Sequence, residues 1–240
     1  LERLAHHHMD YVLVADFTPE FPLISAEAFL EELLVPALHP RVVVAGYRTT
    51  FGHGRAGNAD VLRACSATLG FETEIVEPIV IAGGPVSSTR IRQSLDAGEV
   101  ALAADLLGYP YRLIGTVVRG DGRGRTLGFP TANLDLPVEK LIPHAGVYAV
   151  RVCGDQLARH GIMHVGPRPT FERPPSVEIH LFDYTDDLYD QSMTVDCLAF
   201  LRDTRPFTGP EALIAQITDD IAAARRVIAH TSHTDRAGTS

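Results

Sequence analysis

Lysine is all but absent from this chain: Lys140 is the only one among 21 basic residues, and the rest are arginine. Any grip on phosphate must therefore come from arginine, backbone N–H groups or a metal ion. Cysteine is scarce as well. Cys65, Cys153 and Cys197 are widely spaced and form no CxxC pair, which excludes a disulfide framework and a zinc knuckle. No apolar run approaches the roughly eighteen residues of a membrane span, and no signal peptide opens the sequence. A cytoplasmic protein without a membrane partner is expected. A formal charge of −9 argues against a dedicated nucleic-acid binder, which needs a basic surface. The GxxxxGK[ST] pattern is missing too, so an ordinary P-loop is excluded.

What is present fits a globular protein. The 240 residues are 45% apolar and 21% charged, enough for one large domain or two of ordinary size. The chain opens at Leu1, and the triplet His6–His8 reads as a solvated helix terminus rather than a metal site.

The texture changes near residue 110. Before it, "DYVLVADF" (10–17), "RVVVAG" (41–46) and "TEIVEP" (73–78) read as buried parallel strands. Helices are predicted between them: one capped by Ser25 and broken by Pro36, another over 58–70 ended by Gly70, then Ser88 to Leu95 and Glu99 to Leu107. Alternating strands and helices imply an α/β fold with a parallel sheet, whose ligands bind beyond the carboxyl ends of the strands. From Tyr111 onward, short valine-rich strands over 112–118, 146–152, 161–166, 176–184 and 193–202 predict a small antiparallel β-barrel. A C-terminal helix opens at Thr208-Gly209-Pro210-Glu211. Its stripe of Leu213, Ile214, Ile217, Ile221, Ala224 and Ile228 would dock on that barrel. The division is thus 1–109, 110–230, and a frayed tail over 231–240.

One stretch carries more chemistry than a turn requires. In "VVRGDGRGRTLGFPTANLDL", Gly120, Gly122, Gly124 and Gly128 allow close backbone approach to an anion. Arg119, Arg123 and Arg125 add positive charge. Thr131 and Asn133 present hard oxygens, suitable for a magnesium ion that keeps several waters. Nucleotide phosphate binding is the functional reading, and a structural hairpin is the alternative. Phosphoryl transfer to an alcohol also wants a proton acceptor. In "SVEIHLFDY" the strand alternation sets Glu178 and His180 opposite Val177, Ile179 and Leu181. Burial would raise the proton affinity of Glu178. An exposed carboxylate or an ion pair to arginine competes with that reading, and His180 reads as a packing or hydrogen-bonding residue.

Together with "PHAGVYAVRV", "VGPRPTF" and "MTVDCLAFLRDTRPF", these segments resemble the riboflavin kinase module over about residues 110–230. The upstream "GPVSSTRIRQSLDAGEVALAADLLGYPY" resembles the join of the bacterial bifunctional riboflavin kinase/FMN adenylyltransferase, or FAD synthetase, family. The resemblance implies a partial Rossmann-like nucleotidyltransferase α/β domain, followed by the riboflavin kinase-like barrel and its helix. It implies ATP and riboflavin as substrates, FMN as product and Mg²⁺ as cofactor. Gly120, Arg125, Thr131 and Asn133 would bind the nucleotide, with Thr131 and Asn133 at the metal. Glu178 would be the catalytic base, and Arg202 and Phe207 would contact the flavin. Ser87, Ser88, Thr89 and Arg92 match a remnant of the adenylyltransferase site.

The first half departs from that family. It has no HxGH motif, and its loop reads Gly46-Tyr47-Arg48-Thr49-Thr50-Phe51-Gly52 in place of the family's G-x-[N/D]-F-x-F-G. Either the sequence is N-terminally truncated or this half is a remnant, and the altered loop favours the remnant. Two function classes follow: an enzyme making FMN with doubtful FAD synthesis, or a flavin-binding regulatory protein without turnover. Joint retention of Thr131, Asn133 and Glu178 favours the enzyme.

Overall fold

The computed structural model describes residues 4, 7–120, 122–154, 157–166 and 175–237, and the chain divides into two units, Leu1–Ile79 and Val80–Ser240. In the first unit a helical segment, α1, runs over residues 26–38. Ser25 caps it by accepting a hydrogen bond from the Ala28 N–H at 3.1 Å. Pro36 does not end the helix as expected. The backbone is π-helical over Phe29–Leu34, and the helix continues through Val35–Leu38. The widened turn lies immediately before the residue that lacks an N–H, where a regular ladder would be broken.

Strand β1 (Val42–Gly46) pairs in parallel with β2 (Glu72–Val76), Val42 opposite Glu72. Between them lies α2 (Ala59–Leu69), as the sequence predicts. The Asn58 side chain accepts from the Asp60 and Val61 N–H groups, and Gly70 closes the helix at φ 78°. Leu30, Ala45 and Leu62 form the small core. The expected strand over 10–17 is not formed. Those residues are irregular and exposed, Tyr11 at 95%, and the sheet contains only β1 and β2. An apolar run becomes a buried strand only where a neighbour offers both a ladder and a face to cover it. His7 and His8 lie in a turn, while His6 falls outside the described residues.

The second unit opens with a short hairpin, β3 (Val80–Ile81) and β4 (Gly84–Pro85), followed by α3 (Ser88–Asp96) and α4 (Val100–Leu107). Arg90 ties hairpin to helix by donating from Nη1 to the carbonyls of Gly84 (2.6 Å), Pro85 (3.0 Å) and Ile81 (3.1 Å). Leu95, Val100 and Ala103 are buried in the same core as Leu113 and Tyr148 of the barrel. The two units therefore meet at Ile79/Val80, upstream of the change of texture at 109/110, because these helices bury their apolar faces with the strands that follow.

The barrel consists of β5 (Tyr111–Val118), β6 (Ala132–Asp135), β7 (Gly146–Cys153), β8 (Ala158–Val165), β9 (Val177–Leu181) and β10 (Ser192–Asp203). It closes antiparallel in the order β10-β5-β6-β9-β8-β7. Alternation sends Val177, Ile179 and Leu181 into the interior with Met163 and Val150. Helix α5 (Pro210–Ala237) covers the outside, where Ala224 and Ile228 pack on Val147, Ala149, Ile162 and Phe182. Its backbone stays helical to Ala237, past the tail expected from residue 231. No glycine or proline interrupts the sequence between Pro210 and Gly238. All three cysteines carry free thiols.

Candidate active site

The loop between β5 and β6 brings the glycine-rich stretch against the residues that follow it. Gly120 approaches Asn133 so closely that a Cβ there would collide with the Asn133 amide. A Cβ on Gly124 would press on the Phe129 carbonyl and lie 3.1 Å from Thr131 Oγ1. At these two positions the absent side chain makes room for the polar side chains of the loop itself. Arg123–Thr126 form a short helical turn, and the Phe129 N–H donates to the Gly124 carbonyl at 2.8 Å.

Thr131 and Asn133 are two residues apart where β6 begins, whereas Ala132 and Leu134 between and after them pack into the core. They therefore share the outward face. Asn133 is the direct ladder partner of Glu178, and Ala132 that of Ile179. On the other side of β9, Glu178 is paired with His164, His164 with Val147, and Val147 with Arg202. One row of outward side chains thus runs across β6, β9, β8, β7 and β10.

Glu178 is half-buried, and among the described residues it forms no ion pair. His164 beside it has its proton affinity lowered, first by burial. The Glu178 and Asp220 charges oppose that trend, while Arg202 reinforces it. His180 also faces outward: its Nδ1 donates to the Pro130 carbonyl at 2.9 Å, and its ring meets Phe129 edge-on at 5.6 Å.

The flavin-side candidates, Arg202 and Phe207, lie where β10 runs on towards α5. Arg202 is committed to the protein: Nε and Nη2 donate to the two Asp220 oxygens at 2.8 and 2.7 Å, and Nη1 donates to the Asp203 carbonyl at 2.8 Å. Asp220 is 4% exposed and also accepts from Gln216 Nε2 at 2.7 Å. Arg202 and Arg205 both stand over the ring of Phe207, at 5.8 and 5.4 Å. Arg202 thus ties β10 to the body of α5 through a largely desolvated bidentate pair, with its guanidinium also over the Phe207 ring.

A narrow cleft of about 60 Å³ lies at the loop end of the barrel, between Arg125, Pro130 and Thr131 on one side and the 184–189 loop on the other. That second loop is fastened to the first. Val117 and Asp190–Gln191 exchange main-chain hydrogen bonds, and the Arg119 guanidinium sits 4.5 Å over the Tyr189 ring. Thr131 and Asn133 offer two neutral hard oxygens, donors of the kind a magnesium ion takes when it keeps several waters. Among the described residues there is no group of three or more His, Cys, Asp or Glu that could hold a metal.

The remnant residues lie elsewhere. Ser87 caps α3 by accepting from the Arg90 N–H, and Thr89 and Arg92 are exposed on that helix. None of them, nor Ser88, lines the cleft at Thr131. In the first unit, Thr50, Phe51 and Gly52 of the altered loop line an apolar cavity of about 820 Å³ with Phe21, Phe29 and Leu33. Sequence reasoning missed His164 and Asp220. Asp220 could have been found, since it interrupts the apolar stripe between Ile217 and Ala224, where a carboxylate needs a partner. The "PRPTF" part of the quoted "VGPRPTF" and the side chain of Arg123 lie outside the described residues.

Comparison with known proteins gives a consistent picture. A riboflavin kinase family model matches residues 107–228, and an FAD synthetase model matches residues 1–90. A bifunctional riboflavin kinase/FMN adenylyltransferase of Listeria monocytogenes is 38% identical over 221 residues, covering 91% of this chain and 70% of the relative. The Escherichia coli K12 protein of the same name is 37% identical over 227 residues, covering 94% and 72%. Among solved structures, one from Streptococcus pneumoniae, described as a macrolide-efflux protein, superposes with a TM-score of 0.86 at 32% identity, covering 93% of this chain and 72% of that one. No helix among the described residues of the present chain is long and apolar enough to cross a membrane.

Proposed function

The chain belongs to the bifunctional riboflavin kinase/FMN adenylyltransferase family, and from that premise we propose how its barrel, a riboflavin kinase module, carries out the transfer. The 5′-hydroxyl oxygen of riboflavin attacks the γ-phosphorus of ATP, the bond to the β,γ-bridging oxygen breaks, and ADP leaves. Glu178 accepts the hydroxyl proton. Thr131 and Asn133 hold the metal-bound triphosphate, with Gly120 and Arg125 beside it. Mg²⁺, held there by Thr131 and Asn133, would supply positive charge to offset that of the triphosphate.

A loose transition state asks the protein mainly for position and charge. The observation that carries this reading is the ladder pairing of Asn133 with Glu178: a nucleotide-side oxygen and a carboxylate free of described ion pairs are neighbours on one barrel face. A structural carboxylate would instead be expected to meet an arginine, as Asp196 meets Arg112 and Arg151. Phe207 offers an aromatic face for the isoalloxazine, and Arg202 serves the flavin indirectly by fixing Phe207. Domain limits of 110–230 for the kinase module and 1–109 for the adenylyltransferase-like half describe function, while α3 and α4 belong to the barrel by packing.

Little FAD synthesis is expected from the sequence given, which carries no HxGH motif, while Ser87, Ser88, Thr89 and Arg92 match that site. One assay tests both statements. With riboflavin, ATP and Mg²⁺, chromatography should resolve FMN as the product with little FAD. Substantial FAD formed from FMN and ATP would reject the reading of the first half, and absence of FMN would favour a binder without turnover.

A further inference from the structure

We propose that His180 is a positioning residue that sets the nucleotide loop against the strand carrying the base, an inference that rests on the assignment of Thr131 and Asn133 to the metal-bound nucleotide. A carbonyl can only accept, so the 2.9 Å contact with the Pro130 oxygen requires the proton on His180 Nδ1. Pro130 has no N–H of its own, and regular ladder pairing starts only at Ala132, opposite Ile179. Thr131 therefore sits between two fixed points, the Pro130 carbonyl held by His180 and the Ala132 backbone held by β9. Its hydroxyl direction follows from both.

The imidazole is itself held. Phe129 meets it edge-on, with ring centres 5.6 Å apart and planes at 80°, and Phe182 lies at 6.4 Å, just past the end of β9. His180 stands two residues after Glu178 on the outward face of β9, so one strand carries the carboxylate and, through a single ring, the hold on the loop. A displacement of the Thr131 hydroxyl by a fraction of an ångström would weaken nucleotide binding while leaving the flavin side untouched.

The test uses the whole chain and Mg·ATP without riboflavin, so that no turnover occurs. His180→Phe keeps a ring in place and removes the donor. His180→Asn supplies an amide N–H close to the position of Nδ1. The expected results are a roughly 5–10-fold weaker Mg·ATP affinity for the Phe variant, recovery to within about twofold for the Asn variant, and riboflavin affinity unchanged in both. Thr131→Ala is measured alongside. If it weakens Mg·ATP and neither His180 variant does, the role of His180 is overturned while the nucleotide assignment stands. If Thr131→Ala leaves Mg·ATP binding unchanged, that assignment falls and the proposal with it. An Asn variant that folds but binds as poorly as the Phe variant, or losses of thermal stability and riboflavin binding in step with Mg·ATP, would make His180 a structural residue and overturn its positioning role.

Discussion

Asn133 and Glu178 are cross-strand partners on the outer face of the barrel, one contributed by β6 just after the glycine-rich loop and the other by β9. In a β-ladder, directly opposed residues lie about 4.5–5.5 Å apart, close enough to serve one ligand yet fixed by backbone hydrogen bonds. The relation between the Asn133 amide and the Glu178 carboxylate is therefore set by register rather than by a mobile loop.

Replacing Glu178 by Gln retains shape and a hydrogen-bonding oxygen but removes the proton acceptor. The expected result is a kcat loss of about 10²–10⁴-fold, the usual contribution of general-base catalysis, with riboflavin and Mg·ATP still bound. Steady-state kinetics beside thermal melts would check it. Turnover retained per folded molecule, together with a lowered melting point, would remove Glu178 from the mechanism.

Gly120→Ala should act through Asn133. The added methyl group would occupy the space of the Asn133 amide, so the side chain must turn away from its ladder position. A fall in kcat/KM of roughly 10–100-fold is expected, concentrated in the KM for Mg·ATP, because misplacement by about an ångström costs that much. Circular dichroism should be unchanged. Wild-type kinetics in this variant would mean that the orientation of Asn133 is immaterial.

Stability should fall with acid in two stages. Burial lowers the proton affinity of His164 and His160, with Arg202 adding to the effect at the first and Arg151 at the second. The unfolded chain therefore binds more protons than the fold once pH drops below about 6.5, and stability declines from there through the lowered folded values. Above that range these histidines contribute no pH dependence. Asp196 behaves separately: burial alone would raise its pKa, but hydrogen bonds and charge from Arg112 and Arg151 outweigh burial and lower it. Its stabilisation is complete above about pH 4 and is lost as pH falls through the folded value. Urea midpoints measured from pH 7.5 to 3 would resolve the two stages. His164→Asn should flatten the first, and an unaltered slope there would show that His164 does not titrate differently on folding.

The sequence made the barrel, and the faces on which the candidate site residues stand, largely legible, because their signals are local. Valine alternation marks strands, and the Thr131–Asn133 pair and Glu178 each sit within one short segment whose face follows from period two. Registers between distant segments left no such trace. Nothing near residue 164 announces that a histidine will stand beside Glu178, since that pairing depends on how β8 and β9 align. Arg202 and Asp220 lie eighteen positions apart, and nothing in either segment names the other as its partner. The run over 10–17 misled for the opposite reason. Its local pattern is that of a strand, but strand formation depends on partners that a pattern does not contain.

The order of strands around the barrel bears on synthesis as well as on catalysis. β10 pairs with β5 on one side and β7 on the other, so the last strand made is the one that joins the ends of the sheet. Until Asp203 has left the ribosome, β5 and β7 each present an unsatisfied edge, and the nascent module resembles an open sheet with its core uncovered. Contacts that span some eighty residues form slowly. The period between translation of β5 and arrival of β10 is thus when this polypeptide is most exposed to misassociation, and anything that shortens β10 would strand the chain there.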